Sequence, residues 1–137
     1  MSLVLDSSVT LAWLHSNELT EPVRLVFDRV TSARAWVPSL WRLEVANALQ
    51  MAVRRGRIDA AFRDASLADL ALLNIAADPD TDSFAWSTTL QLAQAHQLTV
   101  YDASYLELAQ RMALPLATLD KELRQASHAA GVALLGL

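Results

Sequence analysis

The sequence contains no cysteine, which excludes disulfide bonds and thiolate metal sites. Glycine and proline are also scarce, with three and four residues, so neither long flexible linkers nor a disordered tail is expected. No apolar run reaches the roughly 18 residues that a membrane-spanning helix needs, and the first residues lack the basic and apolar regions of a signal peptide. We therefore expect one cytoplasmic domain over residues 1–137 that does not associate with membranes.

Lysine is almost absent, and the acidic residues outnumber the basic ones, so that the formal net charge is −4. A chain of this sign does not attract nucleic acid through its overall field. Arg54, Arg55 and Arg57 form a basic group beside Gly56. Two interpretations of this group stay open, a solvated helix end and a local contact for phosphate.

Short apolar segments alternate with longer amphipathic ones along the whole chain. The apolar segments predict five strands, at residues 3–5, 35–37, 74–76, 116–118 and 132–135. The amphipathic segments predict helices at residues 9–14, after a Thr20 cap, from a Ser39 cap to about 55, after an Asp59 cap, at 83–96, at 102–112 and at 120–130. Strands that alternate with helices favour an α/β fold, here a three-layer α/β/α sandwich with a five-stranded parallel sheet.

Aromatic side chains divide into two groups. Trp36 and Trp86 are expected in the core, together with Phe62 on the inward face of its helix. Trp13 and Trp41 lie on helices that begin near one edge of the sheet, where they suit either the core or a groove for a partner helix. Core packing is the preferred interpretation for both residues.

Four acidic residues follow strand ends or lie in the first turns of helices: Asp6, Glu44, Asp102 and Asp120. Right-handed crossovers bring the carboxyl ends of parallel strands, and the helices that follow them, to the same edge of a sheet. Ligands bind at this edge in open α/β folds. Each aspartate is also in a position suited to a simple helix cap, so a single position does not distinguish the two roles.

Glu44 is the most informative of the four because its neighbours on the same helix are mostly apolar. Asn47 is three residues further on, where it is expected to orient Glu44 by a hydrogen bond. Carboxylates that meet in one place repel each other unless a cation is bound, and carboxylate oxygens suit Mg²⁺ or Mn²⁺. The three histidines are widely separated and show no metal-ligand spacing.

Four segments carry a resemblance to a known family: LDSSV at 5–9, PSLWRLEVANAL at 38–49, TVYDASYLELA at 99–109 and LPLATLDKEL at 114–123. Together they resemble the PIN-domain family and, within it, the VapC-type toxins of toxin–antitoxin systems. The resemblance implies a Mg²⁺- or Mn²⁺-dependent endoribonuclease, usually a homodimer, that is blocked by a cognate antitoxin. It assigns the metal ligands to Asp6, Glu44 and Asp102, with Asp120 as the fourth acid, and places Ser7 and Thr118 in support.

Two departures from the family pattern are local. Gln97 follows a helix end where related sequences often carry glycine, and Leu119 is bulkier than the residue often found before the fourth acid.

A catalytically silent, PIN-like protein-binding module is the alternative function. A phospho-acceptor receiver domain is disfavoured because the third strand ends in Ala76-Ala77 rather than in aspartate.

Overall fold

The structure, a computed structural model, describes all residues from 1 to 137. Its centre is a parallel sheet of five strands in the order β3-β2-β1-β4-β5. The strands are β1 (Leu3–Leu5), β2 (Ala35–Val37), β3 (Ile75–Ala77), β4 (Leu116–Ala117) and β5 (Leu134–Leu135). All four strand pairings are parallel, which confirms the predicted five-stranded sheet.

Eight helices connect and cover the strands. They are α1 (Ser7–Trp13), α2 (Glu21–Ser32), α3 (Trp41–Arg54), α4 (Ala60–Ala71), α5 (Thr81–Ala85), α6 (Thr88–His96), α7 (Val100–Met112) and α8 (Lys121–Ala129). The caps predicted for α2 and α4 are confirmed, because the side chains of Thr20 and Asp59 accept hydrogen bonds from backbone amides in the first turn. None of these helices is both long enough and apolar enough to cross a bilayer.

The strand order explains the three layers of the fold. From β1 the chain moves outward to β2 and β3, and it then returns to place β4 on the other side of β1. Right-handed crossovers in the two directions put their helices on opposite faces of the sheet, which confirms the α/β/α sandwich. The direction in which successive strands are added to the sheet reverses between β1 and β4. The ligand-binding crevice of such a sheet is therefore expected at the carboxyl ends of these two strands.

The core is built around β1 and α7. Every residue of β1 is buried, and α7 buries all residues from 103 to 109, so that it is the most enclosed helix. Tyr105 is the largest fully buried side chain of the protein. A single apolar cluster joins these elements to α1, α2, α3, α4 and α8, so the edge of the sheet near α7 is held rigidly.

Three predicted helix starts are wrong by about two residues. Helix α1 begins at Ser7 rather than at residue 9. Helix α3 begins at Trp41 and not after a Ser39 cap, because the Ser39 amide is bonded to the Thr81 hydroxyl and a turn over residues 38–41 precedes the helix. Helix α7 begins at Val100 rather than at residue 102, because the Thr99 hydroxyl provides the cap.

The single helix predicted for residues 83–96 is in fact two helices, α5 and α6, which are separated at Trp86 and Ser87. No glycine or proline marks this break, so the local sequence gives no sign of it. The break has a tertiary cause, since Phe84 of α5 packs under the Arg111 guanidinium at 4.5 Å while α6 lies along α7.

Two aromatic assignments are wrong. Trp86 is 94% exposed at the break between α5 and α6, and Phe62 is also exposed. Trp41 is buried as preferred, with its indole Nε1 donating to the Thr10 hydroxyl, and Trp13 packs edge-on against Phe27. Tertiary placement thus decided which aromatic residues reached the core.

Candidate active site

Asp6 lies directly after β1, where it is buried with only 4% of its surface exposed. It occupies the cap position of α1, yet its side chain caps no amide. Instead, its Oδ2 accepts hydrogen bonds from the hydroxyls of Ser8, at 2.6 Å, and Thr118, at 2.8 Å. Burial raises the pKa of Asp6 and outweighs the lowering by these hydroxyls. A carboxylate placed in this way is oriented by the protein but has no cationic partner.

Thr118 connects the two strands on either side of the crevice. Its hydroxyl donates to Asp6 and also accepts a hydrogen bond from the Asp120 amide at 3.1 Å. Asp120 caps α8, with its Oδ2 accepting from the Leu123 amide at 2.8 Å. Thr118 therefore fixes the acid that follows β1 relative to the acid that opens α8.

Glu44 reaches the same region from the first turn of α3, where it is half-buried. Its Oε1 accepts a hydrogen bond from the hydroxyl of Tyr105. Asn47, which was expected to orient Glu44, is exposed and makes no hydrogen bond to it, so that prediction is wrong. The orienting group comes from α7, which contacts α3 only in the folded protein.

Asp102 lies in the first turn of α7. Burial raises its pKa to about 6, and the negative charges of Asp120, Asp6 and Glu122 add to the effect. Glu44 shows the same pattern, because burial and the charges of Asp6 and Asp102 raise its pKa against the lowering by Tyr105. The charges of Asp6 and Asp120 thus act on Asp102, and those of Asp6 and Asp102 act on Glu44, which places the four predicted residues in one neighbourhood.

No basic side chain neutralises this group. The salt bridges of the protein join Arg24, Arg63 and Arg111 to other acids, and none of the three histidines lies in a group of potential metal ligands. The arginines at 54, 55 and 57 are exposed at the far end of α3. The local charge at the carboxyl ends of β1 and β4 is therefore strongly negative and uncompensated.

The donor set suits a hard divalent cation, since every candidate ligand is a carboxylate. In Glu44 and Asp120 one carboxylate oxygen accepts a hydrogen bond from the protein, and the other oxygen accepts none. As they are placed, however, no three acidic or histidine side chains lie within reach of one shared ion. The chemistry and the charge fit a cation, and the side chains have to turn toward it for coordination.

Sequence reasoning missed three residues of this site. Ser8 donates to Asp6, and Tyr105 donates to Glu44. Glu122 adds negative charge near Asp102. Helical spacing contained a signal for Tyr105, because it is three residues after Asp102 and so lies on the same face of α7.

The chain is similar to a known protein family and to several solved structures. A family model described as "PIN domain" matches residues 3–129. The solved structure of PAE2754 from Pyrobaculum aerophilum is similar, with 26% identity, a TM-score of 0.68, and coverage of 92% of this chain and 84% of that chain. The structure of VapBC2 from Rickettsia felis, which is bound to a DNA fragment from its promoter, is also similar. It shows 11% identity and a TM-score of 0.64, with coverage of 98% of this chain and 97% of that chain.

A toxin–antitoxin complex from Klebsiella pneumoniae is also similar, with 16% identity, a TM-score of 0.57, and 86% of each chain covered. No match was found among curated proteins. PIN domains are generally nucleases that use divalent metal ions. Since the family model covers nearly all of the chain, the protein belongs to the PIN domain family.

Proposed function

We propose that the protein is a metal-dependent endoribonuclease and the toxin of a type II toxin–antitoxin pair. In this proposal Asp6, Glu44 and Asp102 hold a Mg²⁺ or Mn²⁺ ion, and Asp120 completes the negative crevice. A bound divalent cation polarises a phosphoryl oxygen and lowers the pKa of a bound water. The protein's own contribution is to present oriented carboxylates to that ion.

The single observation that carries the proposal is the gathering of four acids, none of them in a salt bridge, near the point where the strand order reverses. Asp6 and Asp102 come from segments 96 residues apart, yet the charge of each raises the pKa of Glu44. Folding brings these like charges together at a cost unless a cation compensates them. A purely structural role does not explain why Asp6 is buried without a basic partner.

The proposed partners follow from the family and from the solved neighbours. The Klebsiella pneumoniae neighbour is a toxin–antitoxin complex by its printed name, and we extend this association to the present chain. The substrate in this proposal is RNA, and the catalytic unit is a homodimer inhibited by its antitoxin. Because the net charge is −4, RNA has to be held by local arginines rather than by the overall field.

The test is cleavage of RNA by the purified protein. Cleavage is expected with Mg²⁺ or Mn²⁺, and it should stop with EDTA. Asp6→Asn and Asp102→Asn should each lower the rate by a factor of at least 100, because each removes a charged ligand while it preserves shape. The substitution Asp59→Asn serves as the control, since Asp59 caps the distant helix α4. Rates that are equal in wild type and in both site variants would show that another site cuts the RNA.

A catalytically silent protein-binding module is the second candidate. One observation favours it, namely that no three acidic side chains are poised around one ion. The two candidates differ in their response to metal. A nuclease site should bind Mn²⁺ and raise the melting temperature of the wild type, whereas a silent module should show no shift and no cleavage.

A further inference from the structure

Tyr105 is a buried core residue whose hydroxyl contacts a carboxylate of the acidic crevice. Its ring is fully buried in the main apolar cluster, where phenylalanine would pack equally well. Its hydroxyl has one hydrogen-bond acceptor, Oε1 of Glu44, which is 61 residues away in sequence. The hydroxyl is therefore directed out of the core and into the acidic crevice.

The position of Tyr105 on α7 links two of the acids. Asp102 and Tyr105 are three residues apart in the same helix, so that they lie on one face. Helix α7 thus provides one carboxylate of the crevice and also the hydroxyl that holds a second carboxylate, which belongs to α3. Because α7 is the most enclosed helix of the fold, this arrangement fixes Glu44 to a rigid element.

The hydrogen bond leaves Glu44 able to act as a ligand. A carboxylate has two oxygens, and Tyr105 occupies Oε1 only, while Oε2 accepts no hydrogen bond. Nothing on α3 itself holds Glu44, since Asn47 is exposed and makes no contact of this kind. Without the hydroxyl, the half-buried Glu44 side chain has no fixed orientation and loses rotamer entropy when it binds an ion.

We propose that Tyr105 is a positioning residue that orients Glu44 for divalent-cation binding, which makes the affinity for the ion depend on its hydroxyl. The inference rests on the proposed metal site. Partners that hydrogen-bond to metal ligands typically change metal affinity by about 10–100-fold. We expect an effect of this size for the removal of one oxygen atom from Tyr105.

The experiment is calorimetric titration of Mn²⁺ into metal-free protein. Tyr105→Phe should raise the Mn²⁺ dissociation constant by about tenfold or more, while its circular dichroism spectrum should show an unchanged fold. Tyr101→Phe is the matched control, because Tyr101 is the other tyrosine of the chain, lies on the same helix, is 66% exposed and makes no hydrogen bond through its hydroxyl. Its Mn²⁺ affinity should equal that of the wild type.

A double-mutant cycle separates positioning through Glu44 from a general structural effect. In a Glu44→Gln background, Tyr105→Phe should cause no further loss of Mn²⁺ affinity, because the ligand that it orients is already absent. The cleavage rate of Tyr105→Phe should also approach that of the wild type at saturating Mn²⁺. Should the single variant fold poorly, the cycle is measured with Tyr105→Leu, which also removes the hydroxyl, adds no donor and does not overfill the buried site.

The outcomes distinguish the inference from the function on which it rests. If wild type binds no Mn²⁺, the proposed metal site is wrong and the role of Tyr105 is lost with it. If wild type binds Mn²⁺ and Tyr105→Phe binds it equally well, the site stands and only the positioning role is overturned. An equal loss with and without Glu44 would identify Tyr105 as a structural residue.

Discussion

Asp102 shows how the gathering of acids at the site destabilises the folded protein at a single residue. Its pKa rises from 3.8 to about 6 because burial and three neighbouring acids disfavour its charge. A carboxyl with a raised folded-state pKa binds its proton more tightly in the folded than in the unfolded protein. Its favourable contribution to stability is therefore complete below about pH 3.8 and is lost as the pH rises through about 6.

The corresponding prediction concerns the metal-free protein. Asp102→Asn should raise the free energy of unfolding at pH 7.5 by about 1 kcal/mol, a value reduced from the full shift because the carboxylate is half-exposed to solvent. The gain should shrink as the pH falls from 6 toward 4. Thermal unfolding in EDTA at several pH values measures it. A variant less stable than wild type at pH 7.5 would show that Asp102 is compensated within the protein.

The four acids themselves were predictable from sequence, because each lies at a strand end or near a helix start. Their hydrogen-bond partners were not predictable in the same way. Asn47 was the expected partner of Glu44 on the basis of spacing in α3, but Tyr105 of α7 takes that place. Local spacing identifies which residues share a helix face, while the contact across two helices depends on how these helices pack.

At the scale of elements, two helices end in residues with left-handed backbone conformations. Gln97, after α6, has a φ of 55°, and Ala113, after α7, has a φ of 54°. This conformation costs residues with a Cβ roughly 1 kcal/mol relative to glycine. Gln97 lies where sequences of the family that this chain resembles often carry glycine, which adopts this conformation without strain.

Gln97→Gly should therefore raise the free energy of unfolding by about 0.5–1 kcal/mol, because glycine adopts the left-handed conformation without strain. Gln94→Gly provides the control on the same helix, since Gln94 is exposed in the interior of α6. That change should instead destabilise the protein by about 1 kcal/mol. Chemical denaturation measures both values, and a destabilising Gln97→Gly would contradict the strained-cap interpretation.

A buried ion network fastens α7 to the end of β3. Arg111 forms salt bridges with Asp78 at 2.5 Å and with Glu107 at 2.8 Å, and both acids are only 4% exposed. Burial alone would raise the pKa of Asp78, but the hydrogen bonds from Arg111, the Asp80 amide and the Thr81 hydroxyl lower it overall. The contribution of Asp78 is thus present above about pH 3.8 and is lost as the pH falls through its folded-state value.

Replacing the arginine should be severe, because it leaves two buried carboxylates without a counter-charge. We expect Arg111→Met to lower the free energy of unfolding by about 3–5 kcal/mol at pH 7. Arg24→Met is the matched control, since Arg24 also bridges two acids, Glu21 and Asp28, but on an exposed surface. That change should cost about 0–1 kcal/mol. Similar losses in urea denaturation of the two variants would show that burial does not matter here.

At the scale of the whole molecule, one continuous apolar cluster connects β1 with six of the eight helices. A single core of this kind favours all-or-none unfolding. We expect one calorimetric transition for the metal-free protein, with equal calorimetric and van't Hoff enthalpies and a heat-capacity change of about 1.6–2.1 kcal/mol/K for a chain of this length. Two resolved transitions would contradict the prediction of a single domain over residues 1–137.

The sequence by itself determined the alternation of strands and helices, and with it the parallel sheet and the edge at which the acids gather. It did so because hydrophobic periodicity and caps are local properties, and because crossover handedness is nearly invariant. Only the tertiary structure decided the exposure of Trp86, the break between α5 and α6, and the partners of Glu44 and Asp6. These features depend on which surfaces meet when helices pack, and residues distant in the chain determine that packing.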